Sequence, residues 1–583
     1  MKKFFSYIVS ADIYILLDRW AKQTKFVLPA KSFFEELRKK FSLKMETLFD
    51  QFELISEKEI STGLKKIIVK SNFQTLSLDR IYFQSNANLD LTRLVDKKLN
   101  NIGKLGHRSN TLNIKNQLQT LKDAGLKYVT LIDDVIYSGE GMLWVIDKLK
   151  EFDIEVKLIC AGIGISSGVQ RLEKLGYIVK CVRLIKNVID EVCERDFYIV
   201  PGTGRLQRIK KEDWRVPYFK PFGLANKWAS ISIEKEIDFS IFCLEQNISL
   251  FKKIEEYSNR KISCKELGFK VLGLPEDNTM LVDALKDILE KLSQKNSIIK
   301  ELTKKLDATY VGEYPSGHSS AVITRLKRKN GSDIVAKFSL SQNDIEGNIM
   351  GYEQISKIGA SAIIPTECRK IYLKKNLALI MTDLGLNFRS TTRNILDYQN
   401  IRNSFLKIVK KTTCEDTQEY IKTSMLEIKE YISKYLTKLT NILGKDATKN
   451  ISTWMPNWDF KYSSLMLLDF TPDNVFMKEN KIYFIDPWRQ KNYLGHPAVS
   501  LGQFSTLAHN IYNLPASKKG KKILKELAII ECSKILKCSE DVSKKAFNAG
   551  EILQYILSAY VRRKSDKAKS RKFLEKANKI VLS

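Results

Sequence analysis

Only four histidines occur in 583 residues, and the nine cysteines form no C-x-x-C pair. A zinc centre and a disulfide framework are therefore poor organising devices for this chain. No stretch reaches the roughly 18–20 uninterrupted apolar residues that a membrane span needs. The opening MKKFFSYIVSADIYILLDRW has a basic tip and an apolar run, but Asp12 and Asp18 interrupt it and no small-residue cleavage site follows. It is expected to be an amphipathic or strand-forming part of the first domain, in a cytoplasmic protein with no membrane partner. Acidic charge is also short: 97 Lys and Arg stand against 67 Asp and Glu, a net +30. Such a surface permits nucleic-acid contact without favouring it, because it equally suits an enzyme of phosphorylated substrates, and Lys, Ile and Asn abundance follows genome composition. With 44% hydrophobic residues the chain is globular, and its length calls for two to four units.

The stretch 465–488, LMLLDFTPDNVFMKENKIYFIDPW, reads as a loop followed by a hairpin. Asp469 and Asn474 lie five apart in a loop-forming DFTPDN, and two short apolar strands deliver Asp486 at a strand end. Phosphoryl transfer needs a carboxylate to orient the attacking hydroxyl and oxygen ligands to hold magnesium on the phosphates. Asp469, Asn474 and Asp486 supply these in order. The stretch resembles the catalytic core of kinase-like small-molecule phosphotransferases, the group of aminoglycoside, choline and fructosamine kinases. The resemblance implies Asp469 as the catalytic residue, Asn474 and Asp486 as metal ligands, and ATP and Mg2+ as cofactors. One departure is Leu467, where the family usually has His.

Upstream, TYVGEYPSGHSSAVITRLKRKNGSDIVAKFSL reads as two or three antiparallel strands, with Gly312, Ser316 and Gly317 in a turn able to cover phosphates and a tight turn at Asn330-Gly331. By the same resemblance Lys337 pairs ATP phosphates, and Glu353, sixteen residues on in a helix, orients it, with Glu346 a competing partner. LALIMTDLG (377–385) is similar to the linker between lobes, so backbone groups from Ile380 to Asp383 are expected to bind adenine. Helices around 401–445 and 520–580 would form a large helical lobe.

The first half carries a second signal. YVTLIDDVIYSGEGMLWVIDKLKEF, from Tyr128, reads as a buried strand, an acidic pair at its carboxyl end, a glycine turn and an apolar-periodic helix. Strands at 156–165 and 177–185 around a helix at 166–175 continue a βαβαβ alternation, which argues for a mostly parallel sheet with ligands beyond its carboxyl ends. Shorter strands are expected at Lys66 to Lys70 and Arg80 to Phe83. The order strand, Asp133-Asp134, spacer, Ser138-Gly139-Glu140-Gly141 resembles the phosphoribosyl-pyrophosphate (PRPP) motif of type I phosphoribosyltransferases. That resemblance implies that Asp133 and Asp134 hold ribose hydroxyls and that Ser138, Gly139, Glu140, Gly141 and Met142 wrap the 5′-phosphate. Tyr137 stands where purine enzymes carry an acidic base, and Gly141 replaces the second Thr of T-G-x-T. Ser85 to Asn88 is a pyrophosphate-loop candidate. Asp133 and Asp134 capping a helix is the plain alternative. Likewise Arg205, Tyr218, Phe219 and Phe222 either form a hood over a ring or close the domain as turns.

Helix-spaced apolar residues from Leu281 to Leu306 suggest a connector, able to dock on a domain or to dimerise the chain. The expected organisation is α/β plus α+β: a Rossmann-like phosphoribosyltransferase sheet (1–235), a helical connector (236–305) and a bilobal kinase-like domain (306–583). The leading functional expectation is a bifunctional enzyme using PRPP and ATP on unknown small acceptors. The rival is a PRPP- or nucleotide-sensing regulator with a non-catalytic kinase-like half and a basic nucleic-acid-binding surface.

Overall fold

The computed structural model describes residues 5–69, 71–209, 212–314, 321–339, 343–374, 376–415, 418–445, 448–454, 458–487 and 490–583. Ser316, Gly317 and Trp488 lie outside them. The chain divides into two compact units, Met1–Ser297 and Ile298–Ser583.

The first unit is built on a five-stranded parallel sheet in the order Ala87–Asn88, Gln74–Ser77, Tyr128–Ile136, Glu155–Ile165, Val179–Ile185. Its central strands are apolar on both faces, as a sheet covered on both sides requires. Leu131, Ile159 and Ala161 are wholly buried. Ser6–Ser10 is the middle strand of a separate three-stranded parallel sheet, between Val188–Cys193 and Phe52–Ile55. A mixed sheet of Lys270–Val271, Glu212–Val216, Arg205–Ile209, Leu91–Val95 and Asn101–His107 completes the unit.

Three expectations are corrected here. Lys66 begins no strand, because Ile60, Leu64 and Ile68 are buried at helical spacing and Ser56 caps a helix, Glu57–Ile68, through the Glu59 N–H. Arg80 to Phe83 is a turn whose carbonyls are taken by side chains: Arg19 Nη2 donates to Arg80 O at 2.9 Å, and Ser77 Oγ to Phe83 O at 3.4 Å. The segment 236–297 is part of the first unit rather than a connector. Asn247, on the helix Glu236–Ser258, accepts from Ile199 N–H at 2.7 Å and donates to Phe197 O at 3.1 Å, and Phe239 meets Phe197 edge-on at 5.2 Å.

The second unit opens with a five-stranded antiparallel sheet in the order Ala308–Tyr314, Ala321–Arg328, Asp333–Ser339, Leu377–Thr382, Cys368–Tyr372, with the helix Asn343–Lys357 connecting its third and fourth members in sequence. Gly312 lies in the first strand, at a register shift, and not in a turn. Helices Ile395–Thr412, Glu419–Leu443, Glu540–Arg562 and Lys567–Leu582 make up much of the rest, around a core that includes Phe405, Ile428, Phe504 and Ile556. Among the described residues no helix is long and apolar enough to cross a membrane.

Candidate active site

The loop that carries Asp469 is held by its own backbone. Met466, Leu467 and Leu468 are fully buried, and each N–H has a partner: Tyr493 O, Ser500 Oγ and Gln490 Oε1, all at 2.8 Å. Leu467 thus fills core space beside the loop. Asp469 N–H donates to Gln503 Oε1 at 3.2 Å. Asn474 Nδ2 donates to Asp469 Oδ2 at 3.0 Å, and Asn474 O accepts from Ile485 N–H at 2.9 Å, which ties the loop to the hairpin Val475–Lys478 and Lys481–Phe484. Glu479 and Asn480 take φ of 51° and 59° in that hairpin's two-residue turn, the positive pair such a turn demands. Asp469 (φ 69°) and Asp486 (φ 56°) are also left-handed, a conformation Asp enters more readily than most residues but not freely.

Lys337 reaches this site from the third strand. Its ammonium, 5% exposed, donates to Asp486 Oδ1 at 2.5 Å and to Asn348 Oδ1 at 2.9 Å. Glu353 and Glu346 are both exposed and neither is its partner. Five residues separate Asn348 from Glu353, which turns the side chain about 140° around the helix, away from the lysine. Asn348 Nδ2 donates in turn to Pro487 O at 3.1 Å, so one amide joins the helix to both the lysine and the segment after Asp486. Gly351, one turn on, makes that approach possible: a Cβ there would stand 2.7 Å from Tyr493 Oη and 2.8 Å from Pro487 Cβ.

Ile380 is also misplaced by the sequence argument. It sits in the middle of Leu377–Thr382, pairing with Ala336 on one side and Arg369 on the other, so its backbone has no free edge for adenine. The linker begins at Asp383, whose N–H donates to Asp333 O at 3.1 Å and whose carboxylate accepts from Tyr314 Oη at 2.8 Å. At the far end, Arg389 N–H donates to Pro472 O at 3.0 Å and Asn387 Nδ2 to Asp473 O at 3.0 Å, fastening the linker to the Asp469 loop.

The electrostatics set the two aspartates apart. Burial pushes the Asp469 carboxyl up to about 7, with the Asp486 charge adding to it and the Asn474 hydrogen bond opposing it. Asp486 meanwhile holds a cation. Among the described residues no three His, Cys, Asp or Glu side chains are grouped to hold a metal. Asp486 and the amide oxygen of Asn474 are nevertheless the hard oxygen donors that magnesium prefers when phosphates supply the remaining ligands. Lys337 stands beside Asp486 as a positive stand-in.

In the first unit Asp133 and Asp134 lie within Tyr128–Ile136, near its carboxyl end, and do not cap the helix Glu140–Lys150. Gly139 is the N-cap of that helix, at φ 78°, and a Cβ there would meet Gly168 O at 2.9 Å. Ser138 Oγ accepts from Glu140 N–H at 3.3 Å, and the Glu140 carboxylate pairs outward with Arg171. The N–H groups of Gly141 and Met142 have no partner among the described residues, as befits a first helical turn. The Met142 side chain is buried in the core.

Arg195 bridges two acids of this site: Nη1 donates to Asp12 Oδ2 at 2.7 Å and Nη2 to Asp134 Oδ2 at 3.1 Å. Burial raises the Asp134 carboxyl, but Arg195, the hydrogen bond with Asp79 and Arg93 together outweigh it and hold Asp134 below the ordinary range. Burial and the Asp134 and Asp79 charges push Asp133 well up. The hood residues are interior: Tyr218, Phe219 and Phe222 are 2%, 0% and 1% exposed, and Arg205 stacks over Tyr218 and Trp228. Ala87 and Asn88 form an edge strand instead of a pyrophosphate loop.

No protein-family model and no curated protein matches this chain. Solved structures that resemble part of it include a type VIII aminoglycoside-3′-phosphotransferase (12% identity, TM-score 0.34, 45% of this chain and 98% of that one). A choline kinase from Cryptosporidium parvum (10%, TM-score 0.32, 49% and 94%) and an amicoumacin kinase bound to AMP-PNP (11%, TM-score 0.31, 50% and 95%) are similar to about the same extent.

Proposed function

We propose that the second unit is an ATP-dependent phosphotransferase acting on a hydroxyl or amine of a small acceptor. The observation that carries this is the convergence of Lys337, Asp486, Asn474 and Asp469, from a sheet strand, a hairpin end and a loop, with a single amide, Asn348, tying the first to the second. Asp469 accepts the acceptor's proton as the new P–O or P–N bond forms and the bond from the γ-phosphorus to the departing ADP breaks, and a carboxyl raised to about 7 is matched to that exchange near neutral pH. Lys337 holds the phosphates by charge, and the linker that starts at Asp383 offers backbone groups to adenine. A magnesium ion held by Asp486 and Asn474 would neutralise phosphate charge as the γ-phosphate leaves. Lys337 then exchanges its contact with Asp486 for phosphate oxygens.

A second reading concerns the first unit: a site for a phosphorylated sugar such as PRPP, with Asp133 and Asp134 at the sugar and the Ser138–Met142 turn at the phosphate. The unpartnered N–H groups at the start of Glu140–Lys150, where Gly139 packs closely against Gly168, favour it. The chain would then be bifunctional. One experiment tests both readings: consumption of ATP and of PRPP by the purified protein over a metabolite extract, beside Asp469→Ala and Asp134→Ala. Each variant abolishes its own activity if both units are enzymes. Binding of either ligand without turnover would point instead to a sensor.

A further inference from the structure

Asp79 lies two residues beyond Gln74–Ser77, where the Leu78 N–H donates to Ile132 O at 2.8 Å and carries the chain past the Asp133–Asp134 pair. Its side chain is 3% exposed, and no N–H or O–H group of another residue donates to either carboxylate oxygen; its one hydrogen-bonding contact is with the Asp134 carboxylate, which needs a proton between the two. The nearest cations, Arg108 Nη2 at 3.6 Å and Arg195 Nη1 at 3.8 Å, stand beyond hydrogen-bonding distance. Its neighbours differ: Asp134 accepts from Arg195 at 3.1 Å and from Val135 N–H at 2.8 Å, and Asp133 accepts from Asp134 N–H at 3.0 Å. A carboxylate buried without donors is costly to a fold, and such groups persist where a bound molecule completes them. The O–H groups of a bound molecule would supply such donors, and among the described residues no three His, Cys, Asp or Glu side chains are grouped to hold a metal.

We propose that Asp79 is a ligand-binding residue of the first unit, accepting, together with Asp133, hydrogen bonds from the vicinal hydroxyls of a sugar phosphate. This rests on the phosphosugar reading above and adds to it the one acid of this cluster whose oxygens receive no donor from the protein. Arg195, donating to Asp12 and Asp134, is then a positioning residue that fixes the frame of the site without reaching the ligand.

The test is calorimetric titration of the full chain with ribose 5-phosphate, 2-deoxyribose 5-phosphate and inorganic phosphate, for wild type, Asp79→Asn and Asp133→Asn. Asp79→Asn is expected to weaken ribose 5-phosphate at least tenfold, to weaken the deoxy sugar less, and to leave inorganic phosphate unchanged. Thermal unfolding of the unliganded variant is expected at or above the wild-type temperature, because an unfilled buried charge has gone. Wild-type affinity of Asp79→Asn for ribose 5-phosphate, with Asp133→Asn impaired, would overturn the proposal and spare the phosphosugar reading. Equal losses for all three probes, or a lower unfolding temperature, would make Asp79 a structural residue. A wild-type protein that binds neither sugar phosphate nor PRPP sinks both.

Discussion

Asp469→Asn should inactivate the second unit and stabilise it, and the second effect should depend on pH in one direction only. The carboxyl moves from an ordinary 3.8 to about 7 in the folded chain, by burial first and the Asp486 charge next, which is about 4 kcal/mol at 1.36 kcal/mol per unit. Asp469 is half-buried by exposed area, so a working figure is about 3 kcal/mol. The sign follows from proton uptake. Below about pH 4 the acid is protonated folded or unfolded and contributes nothing; between about 4 and 7 the unfolded chain ionises first and the folded state loses ground; above 7 the penalty is complete. Asparagine keeps the shape, can still accept from Asn474 Nδ2, and never ionises. The stability gap between Asp469→Asn and wild type should therefore widen by about 2 kcal/mol from pH 5 to pH 8, a few degrees in unfolding temperature for a unit this size. Differential scanning calorimetry of both proteins at the two pH values measures it, and subtraction removes every other titrating group. ATP-dependent transfer should fall about 10²–10⁴-fold in the same variant. A gap that is constant with pH, or that narrows as pH rises, would refute the assignment of Asp469 as a buried acid held near neutrality.

Other outcomes follow from the same geometry. Lys337→Met should remove nucleotide binding, read by titration with a fluorescent ATP analogue, while leaving the chain folded. Asn348→Ala should raise KM for ATP more than it lowers kcat, by about tenfold, since it loosens Lys337 rather than removing it; an unchanged KM would mean that the amide contact is idle. Gly351→Val should destabilise the second unit by about 2–3 kcal/mol in a denaturant melt, because its side chain has only the space now held by Pro487 and Tyr493. His496 and His509 are lowered by burial to about 3 and about 4, so they fold neutral. Their contribution is whole above about pH 6.5 and is lost as the unfolded state takes up protons below it, so the second unit should weaken on acidification from 6.5 towards 4, less steeply in His496→Gln.

The parts legible in the sequence are those set by local spacing. The Tyr128–Ile136 strand and the helix from Glu140 follow from an apolar run, a glycine that must take positive φ, and helical periodicity. The closeness of Asp469 and Asn474 has the same origin, since one short loop carries both and leads straight into the hairpin that ends at Asp486. What stayed hidden depends on contacts distant in the chain. Lys337 meets a residue eleven positions away and another 149 positions away, and sixteen-residue spacing chose Glu353 because nothing local says which face of Asn343–Lys357 looks inward. Gly351 was the available signal: a glycine in mid-helix marks close approach. Ile380 failed by a few residues, as element ends do, because a linker and the strand feeding it are equally apolar. Arg195 and Asp79 gave no short-range signal, since Asp12, Asp79, Asp134 and Arg195 converge only once their sheets have formed.

Both units meet the same electrostatic problem in the same way. Each brings carboxylates together in a partly desolvated place, clamps one with a cation, and leaves a second raised: Asp486 with Lys337 beside Asp469 at about 7, and Asp134 with Arg195 beside Asp79 at about 6. The clamps differ in one respect. Lys337 has a neutral amide as its other partner, so it can leave Asp486 without stranding a second charge. Arg195 is also bound to the wholly buried Asp12, through both its side chain and its backbone N–H, and has nowhere to go. A ligand in the second unit can therefore take the clamp itself, whereas a ligand in the first must be met by the unclamped acids. Substitution should reveal the difference: Arg195→Met leaves Asp12 buried and unpaired and should unfold the first unit, where Lys337→Met should leave the second unit standing.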